Sequence, residues 1–363
     1  MKARKTIKAK ILELRKGKEE LLTQEYENWQ RYLRGDKNVK LYSATKQQAD
    51  RLLKRLGDRL NPDKEYPLIL RHDVYRTYTK LTQYWLKIPI YGVRGGINIP
   101  IRPHEPITKD MICKEAKIIR KDNEWFVYIT VEKEVAKREP RSFLAIDLGI
   151  RWIATTVNSN DQKPKFYGKE LRRVKGYYFW LRRSLSLKKA YKAIKRIGQK
   201  ERRVVNYILH KISRAIVNEA LTSNSIIVLG NLKRMRCNCK GKSKALKRRL
   251  NNGFPYYRLS QYIEYKARWH GIKVIRISEK NTSKACHKCG SEGLRVGSSF
   301  RCLNCNYTCH ADYNGAMNIL KRAMGYMSIA GAPLTEPELG RMSPLGQRTE
   351  NLPTLVVESV NYA

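Results

Sequence analysis

Four cysteines near the C-terminus constrain the fold of this chain more than any other feature. They form two C-x-x-C pairs, Cys286/Cys289 and Cys302/Cys305, with twelve residues between the pairs. Two such pairs at this separation are a strong signal for a tetrahedral four-cysteine zinc site. Disulfides are the alternative, and they are less expected in a chain with an intracellular composition. The pattern therefore predicts a zinc ribbon with one structural Zn²⁺.

Charge narrows the range of partners. The 363 residues include 75 Lys+Arg and 32 Asp+Glu, which gives a formal net charge of +43. Self-repulsion of this size opposes compaction, so a polyanion is the natural partner. No apolar run approaches the ~20 residues of a transmembrane helix, and the basic start at Met1 leads to no apolar signal segment. We therefore expect a nucleic-acid-binding protein of the reducing cytoplasm.

The first 140 residues change their hydrophobic period once. Helical spacing of apolar residues predicts helices at 22–33, at about 44–60 and at about 68–85. A period of two then predicts four short strands, with Lys121–Asn123 as the hairpin turn between the last two. We expect a small β-barrel with a helical insertion at about 22–86. The predicted strands are 87–90, 97–101, 115–120 and 125–131.

Two aspartates stand out in the second half of the chain. Asp147 interrupts an otherwise apolar strand and is followed by Gly149, and a carboxylate in a buried strand is costly unless something pairs with it. It is either a turn residue or a divalent-metal ligand on the first strand of a ribonuclease-H-like sheet. Asp312 opens a small-residue helix seven residues after Cys305. This order suggests that the ribbon is inserted in front of a metal-binding catalytic aspartate.

Two long basic helices are predicted between Gly168 and Ser223. The first interleaves aromatic residues at 177–180 with arginines, and the second, at about 201–221, has one apolar face. Charge runs are usually solvated surfaces, but the aromatics and the excess positive charge favour a hairpin that faces nucleic acid. His210 on the second helix is interpreted as a packing or phosphate contact.

The segments that follow alternate strand, basic loop, helix and strand. The loop at 231–252 contains Cys237 and Cys239, whose C-x-C spacing is wrong for a closed zinc knuckle, and we interpret both as free thiols. The predicted elements are a buried strand at 225–229, a helix at about 257–270 and a strand at 273–277.

Three motifs resemble the RuvC-like nuclease half of TnpB, the OrfB-type protein of insertion sequences that is related to type V CRISPR effectors. The motifs lie at 145–149, 281–290 and 310–319, and the resemblance covers about 141–325. It implies an α/β multidomain protein: a ribonuclease-H-like (RuvC) domain with an inserted zinc ribbon, preceded by a β-barrel wedge domain with a helical recognition insertion. It also implies a transposon-end guide RNA and a double-stranded DNA target with a short flanking motif.

The resemblance divides the chain into five parts and implies a prokaryotic, nucleoid-associated protein. These parts are a wedge barrel with its insertion (1–140), a first nuclease part with the basic hairpin at 168–222 (141–281), the ribbon (282–306), a second nuclease part (307–325) and a poorly ordered tail (326–363).

RuvC-like sites use three carboxylates to hold two Mg²⁺ ions, and Mg²⁺ prefers oxygen ligands with retained waters. Asp147 and Asp312 match the first and last carboxylates of the family. The family places its middle carboxylate, a glutamate, at the end of the strand assigned to 225–229. This chain has Gly230 there, which is a departure from the family pattern.

Glu279, at the end of the next predicted strand, is the candidate replacement. Adjacent strands lie ~4.8 Å apart, so a glutamate can reach sideways to the position that Gly230 leaves open. The alternative is an exposed acid at a strand end, paired with Lys280 or Lys284.

We therefore expect an RNA-guided DNA endonuclease of a transposable element. Asp147, Glu279 and Asp312 are its predicted catalytic residues and Mg²⁺ ligands, and Cys309 and His310 are expected outside the zinc shell. A nuclease-inactive RNA-guided DNA-binding repressor is the alternative. A DNA transposase accessory protein ranks lower, since the chain has no His-hydrophobe-His motif, and a plain RNA-binding ribbon leaves Asp147 unexplained.

Overall fold

The computed structural model describes residues 1–136, 138–231 and 255–329, and it is a mixed α/β structure. It contains a seven-stranded sheet, a five-stranded sheet and a three-stranded ribbon sheet. None of the helices in these ranges is long and apolar enough to cross a membrane.

The N-terminal sheet has the strand order β2–β6–β7–β1–β5–β4–β3, with antiparallel neighbours. Alternate residues of its strands, such as Ile7, Ile99 and Ile129, are fully buried in one core together with Leu22 and Trp29 of the first helix. The elements are β1 (Lys2–Ile11), α1 (Lys16–Leu33), α2 (Ser43–Leu56), β2 (Leu68–Leu70), β3 (Arg76–Lys80), β4 (Gln83–Ile90), β5 (Val93–Pro103), β6 (Ile112–Lys121) and β7 (Glu124–Glu134).

The first two predicted helices and the four predicted strands are confirmed. The third predicted helix, at 68–85, is wrong, because this segment forms β2, β3 and the start of β4. The helical insertion therefore ends at Arg59, not near residue 86. Threonines and aromatic residues make up six of the ten residues of Arg76–Trp85, and this β-propensity outweighed the helical spacing of the apolar residues.

The β6–β7 turn also agrees with the sequence. Asp122 and Asn123 occupy it with φ of 52° and 60°, the left-handed conformation that a two-residue hairpin turn requires. In the described part of the sheet, β2 and β3 are edge strands. Closure into a barrel, and the wedge role, therefore stay predictions.

The second sheet has the order β10–β9–β8–β11–β12, with β8 parallel to β11 and β11 parallel to β12. The predicted adjacency of the strand ending near Gly230 and the strand ending before Glu279 is therefore confirmed. The strands are β8 (Ser142–Asp147), β9 (Ala154–Asn158), β10 (Pro164–Tyr167), β11 (Ser225–Asn231) and β12 (Val274–Ser278).

Helices cover both faces of this sheet. Three of them bury one face with Leu144, Ile227 and Leu229, and the last helix buries the other face with Ala145 and Val228. The first three are α3 (Lys169–Leu187), α4 (Tyr191–Thr222) and α5 (Tyr256–Trp269), and the last is α6 (Ala311–Ile329). The ribbon strands are β13 (Gly293–Val296), β14 (Ser299–Cys302) and β15 (Thr308–His310).

Two predicted boundaries need correction. Helix α4 begins at Tyr191, ten residues before the predicted start, and α6 continues to Ile329, so residues 326–329 are helix and not tail. The loop with Cys237 and Cys239 and the rest of the predicted tail lie outside the described residues.

Candidate active site and zinc ribbon

Asp147 ends β8, the central strand of the second sheet. Helix α6 crosses beside it at Gly315, where an added Cβ would lie 3.0 Å from Asp147 Oδ2. Burial and the negative charge of Asp312 raise the pKa of the Asp147 carboxyl to about 7, against a smaller lowering by Arg295. The fold therefore buries this carboxylate in an environment where its charged form is unfavourable.

Glu279 follows β12 directly and occupies the space beside Gly230. A Cβ built on Gly230 would lie 1.5 Å from Glu279 Oε1 and 2.2 Å from its Cδ. The backbone pairing explains this contact, because Gly230 aligns with Ile277 and Asn231 with Ser278, one residue before Glu279. The glutamate therefore occupies the place of a side chain on β11, and any residue larger than glycine at position 230 would displace it.

The Glu279 carboxylate has little compensation for its burial. Its Oε1 is buried and has no hydrogen-bond partner among the described residues. Burial and the charge of Asp147 raise the pKa of Glu279 to about 8. Lys284 pairs instead with Glu292 at 3.9 Å, and within the described ranges Glu279 forms no ion pair with Lys280 or Lys284. The alternative of a lysine-paired surface acid is therefore wrong.

Asp312, the second residue of α6, is only 3% exposed. Its Oδ1 accepts a hydrogen bond from Arg295 Nη2 at 2.7 Å, and its backbone N–H donates to His310 Nδ1. Gly149, in the loop after β8, faces the same carboxylate, since an added Cβ there would lie 3.6 Å from Oδ1. The ribbon thus supplies a cation to the acidic site, a contact that the sequence reasoning did not find.

The fold brings the three predicted acids into one neighbourhood. The charge of Asp312 acts on Asp147, and the charge of Asp147 acts on Glu279, so Asp147 lies close to both other acids. Among the residues that the structure describes, Arg295 is the cation that pairs with one of these acids, through its hydrogen bond to Asp312. A buried carboxylate oxygen without a partner, in a site with excess negative charge and oxygen donors only, fits a divalent hard cation such as Mg²⁺.

The four predicted zinc ligands are together. Their sulfur atoms all lie within 4.8 Å of one another, and this is the only such group of three or more His, Cys, Asp or Glu side chains in the ranges 1–136, 138–231 and 255–329. The Cys289–Cys302 and Cys286–Cys305 sulfurs are 3.4 and 3.8 Å apart. Zn–S bonds of about 2.3 Å in a tetrahedron place sulfurs roughly 3.8 Å apart. The cluster can therefore hold a zinc ion.

Cys309 lies outside this group, as predicted. Burial raises the pKa of its thiol to about 11, which keeps it protonated. Within the four-cysteine group, hydrogen bonding from Ser291 lowers the pKa of Cys289 to about 6, whereas burial and hydrogen bonds with the other cysteines raise the pKa of Cys305 to about 12. These thiols share protons, which they must lose to bind a metal.

Two asparagines of helix α6 form hydrogen bonds with the first zinc knuckle, the turn that contains Cys286 and Cys289, and with the residues just before it. Asn314, which is fully buried, accepts from the His287 backbone N–H at 3.0 Å and donates to the Ala285 carbonyl at 2.7 Å. Asn318 donates to the same Ala285 carbonyl at 2.7 Å and to the Thr282 carbonyl at 2.8 Å. Because Asp312 lies two residues before Asn314, the knuckle and this carboxylate are held by the same turn of helix.

The helical hairpin of α3 and α4 presents aromatic and basic residues to solvent. Buried Glu201 joins the two helices through Lys175 and Arg182. His210 stacks on Tyr262 with ring centroids 4.0 Å apart, which agrees with its predicted packing role. The most exposed aromatic residues of the hairpin are Tyr177, Trp180, Tyr191 and Tyr207.

Two family models match parts of the chain that contain the second sheet and the ribbon. A family model described as “Cas12f1-like, TNB domain” matches residues 256–319, and the OrfB_IS605 model, described as “Probable transposase”, matches residues 126–234. A TnpB-like protein of Methanocaldococcus jannaschii is 29% identical over 220 residues, which cover 57% of this chain and 77% of that protein. The resemblance to TnpB is confirmed.

Effectors related to TnpB match as well. The CRISPR-associated endodeoxyribonuclease Cas12f2 of a Micrarchaeota archaeon is 31% identical over 223 residues, which cover 55% of this chain but only 40% of the effector. The cryo-EM structure of a Cas12f1–sgRNA–target DNA complex aligns with a TM-score of 0.57 and 14% identity, over 84% of this chain and 80% of that chain. At this identity the structural match shows the fold alone.

Proposed function

We propose that this chain is an RNA-guided DNA endonuclease of the TnpB kind, with a RuvC-like site formed by Asp147, Glu279 and Asp312. The observation that supports it best is the Glu279 carboxylate, which fills the place that Gly230 leaves open on the neighbouring strand. The named activities of the relatives support the same reaction class, since they include an endodeoxyribonuclease that resembles this chain over half its length.

In this proposal Asp147, Glu279 and Asp312 would hold two Mg²⁺ ions, whose chemistry when bound would be activation of a water and stabilisation of the leaving oxygen of a phosphodiester. The residues of the chain prepare the site by keeping carboxylates buried and close, at the cost of raised pKa values for Asp147 and Glu279. A divalent cation favours their charged forms. Arg295 holds Asp312 in place through its 2.7 Å hydrogen bond.

Guide RNA and double-stranded DNA are the proposed partners. A net charge of +43 requires a polyanion, and the exposed aromatics of the α3–α4 hairpin suit stacking on unpaired bases or sugars. Sequence specificity would come from base pairing with the guide, while the protein reads the short flanking motif. RNA should therefore bind first, and DNA only through the loaded complex.

The test is cleavage by the purified protein with its co-purifying RNA. A duplex complementary to the guide segment, with randomised flanks, should be cut with Mg²⁺ and not without it. Glu279→Gln should abolish cutting while RNA binding persists. Glu292→Gln is the matched control, because this glutamate is 71% exposed on the ribbon. Wild-type cutting by Glu279→Gln would refute the displaced-glutamate site.

A guided DNA binder without nuclease activity is the second candidate. Two observations favour it: the family glutamate is missing at Gly230, and the oxygens of the three acids are not all within 4.8 Å of one another. Guide-dependent target binding without cleavage in Mg²⁺, Mn²⁺ or Co²⁺ would select this alternative.

A further inference from the structure

The β3–β4 hairpin forms an arm at the edge of the N-terminal sheet. Within the described ranges strand β3 pairs only with β4, and four of its five residues are exposed. Leu81, at the tip, is 89% exposed, the largest exposure of any hydrophobic side chain in the described ranges. At this exposure Leu81 packs against little of the chain that the structure describes, so packing does not explain a leucine at the tip.

The tip is also strained. Leu81 and Thr82 both have positive φ, 47° and 64°. A two-residue turn of this kind prefers Asn-Gly or Asp-Gly, and bulky or β-branched residues rarely adopt it. The β6–β7 hairpin has the same left-handed turn with the suited residues Asp122 and Asn123. Strain of this type at an exposed position is characteristic of functional sites.

One face of the arm is basic and aromatic. Arg76 and Lys87 are directly opposite each other, as are Tyr78 and Trp85. Like charges in a cross-strand pair repel, and neither Arg76 nor Lys87 forms an ion pair with another residue that the structure describes. The hairpin from Arg76 to Ile90 contains three Lys or Arg and no Asp or Glu. The arm therefore complements a polyanion with stackable rings.

We propose that this arm binds the target DNA duplex and inserts Leu81 between adjacent base pairs, which starts strand separation. Apolar wedges on basic elements unstack base steps in this way, and β-ribbons bind in DNA grooves. Duplex DNA is the chosen occupant because the proposed function, on which this inference rests, requires a duplex to be opened beside the flanking motif before the guide can pair.

The test separates the wedge from the stability of the hairpin. The double variant Leu81→Asn, Thr82→Gly supplies the preferred turn, so its melting temperature should equal or exceed that of wild type. Strand separation is followed by the fluorescence of 2-aminopurine in the first guide-paired positions of a target duplex, with the co-purifying RNA bound. The double variant should open this duplex about tenfold more slowly, because unstacking a base step is costly without the wedge.

Two controls sharpen the result. Leu81→Met keeps an apolar tip and should open the duplex at the wild-type rate. A target with a preformed bubble at the same positions needs no wedge, so the double variant should bind it like wild type. The turn variant Asp122→Asn, Asn123→Gly in the other hairpin should change neither rate.

The outcomes are distinct. Equal opening rates for wild type and the double variant would overturn the wedge, and so would an equal loss on duplex and bubble targets, which indicates a general contact. Fluorescence reports opening whether or not DNA is cut. A wild-type complex that opens DNA without cutting it therefore overturns only the nuclease proposal, and one that opens no duplex overturns both.

Discussion

A single methyl group at position 230 tests the displaced-glutamate site. In Gly230→Ala the new Cβ would lie 1.5 Å from Glu279 Oε1, whereas ordinary contact begins at 3.4 Å. The carboxylate must therefore retreat by about 1.9 Å along this direction. The clashing atoms, Oε1, Cδ and Cγ, belong to the flexible end of a side chain, so the backbone of β11 can stay in place.

The structure predicts that Gly230→Ala changes the stability of the protein little but lowers its rate of cleavage strongly. Replacing glycine in a strand interior removes unfolded-state entropy, and we expect the free energy of unfolding to change by no more than about 1 kcal/mol. A misplacement of only 1 Å can cost about 100-fold in rate. Cleavage should therefore fall at least about 100-fold, equivalent to about 2.7 kcal/mol of transition-state stabilisation.

The assay is single-turnover cleavage of the matched duplex by an excess of the protein–RNA complex, together with a thermal melt of the same samples. Gly17→Ala in α1 is the matched control, because an added Cβ there meets nothing within 4 Å. A swap, Gly230→Glu with Glu279→Gly, returns the carboxylate to β11 and should recover part of the activity. If Gly230→Ala cuts within threefold of wild type, Glu279 does not act from this position.

Three further predictions follow from the site. Asp147→Asn should raise the melting temperature of zinc-loaded, magnesium-free protein. Because the pKa of Asp147 is raised to about 7 in the folded state, the stability of the wild-type protein falls as the pH rises from about 4 to about 7. The difference in melting temperature between variant and wild type should therefore grow over that pH range. Elemental analysis of the purified protein should find one Zn²⁺ per chain, lost in Cys302→Ser and kept in Cys309→Ser. The reverse result would reassign the ligands. Asn314→Ala removes the acceptor of the His287 backbone N–H, while the Ala285 carbonyl keeps its hydrogen bond from Asn318, so zinc should transfer faster to a chelator and the free energy of unfolding should fall by about 1–3 kcal/mol. Unchanged zinc release would refute the coupling of helix and knuckle.

The sequence predicted those parts of the site that a short stretch of residues identifies by itself. The cysteine pairs have a fixed spacing, and Asp147 is conspicuous as an acid in an apolar strand. Glu279 required one assumption about strand order, which the sheet confirms. The catalytic roles of these acids stay predictions, because the geometry alone does not test them.

Other contacts had no local signal. Arg295 meets Asp312 only because the ribbon folds back on α6, and Asn314 meets Ala285 across 29 residues of chain. The helix predicted at 68–85 failed for a related reason. Its apolar residues fit a helical spacing, but the pairing of β2 with β6 is decided by a segment almost fifty residues away.

The attachment of α6 to the zinc knuckle has a consequence for the proposed nuclease site while the chain folds. A chain that has folded only the five-stranded sheet places Asp147 and Glu279 side by side, but Asp312 arrives only when α6 docks on β8 and on the knuckle. An immature or zinc-starved chain is then expected to be chemically silent toward DNA even with its sheet intact. Under the proposed function, docking of α6 would then act as a check on folding, because a chain without this docking would lack the third carboxylate of the site.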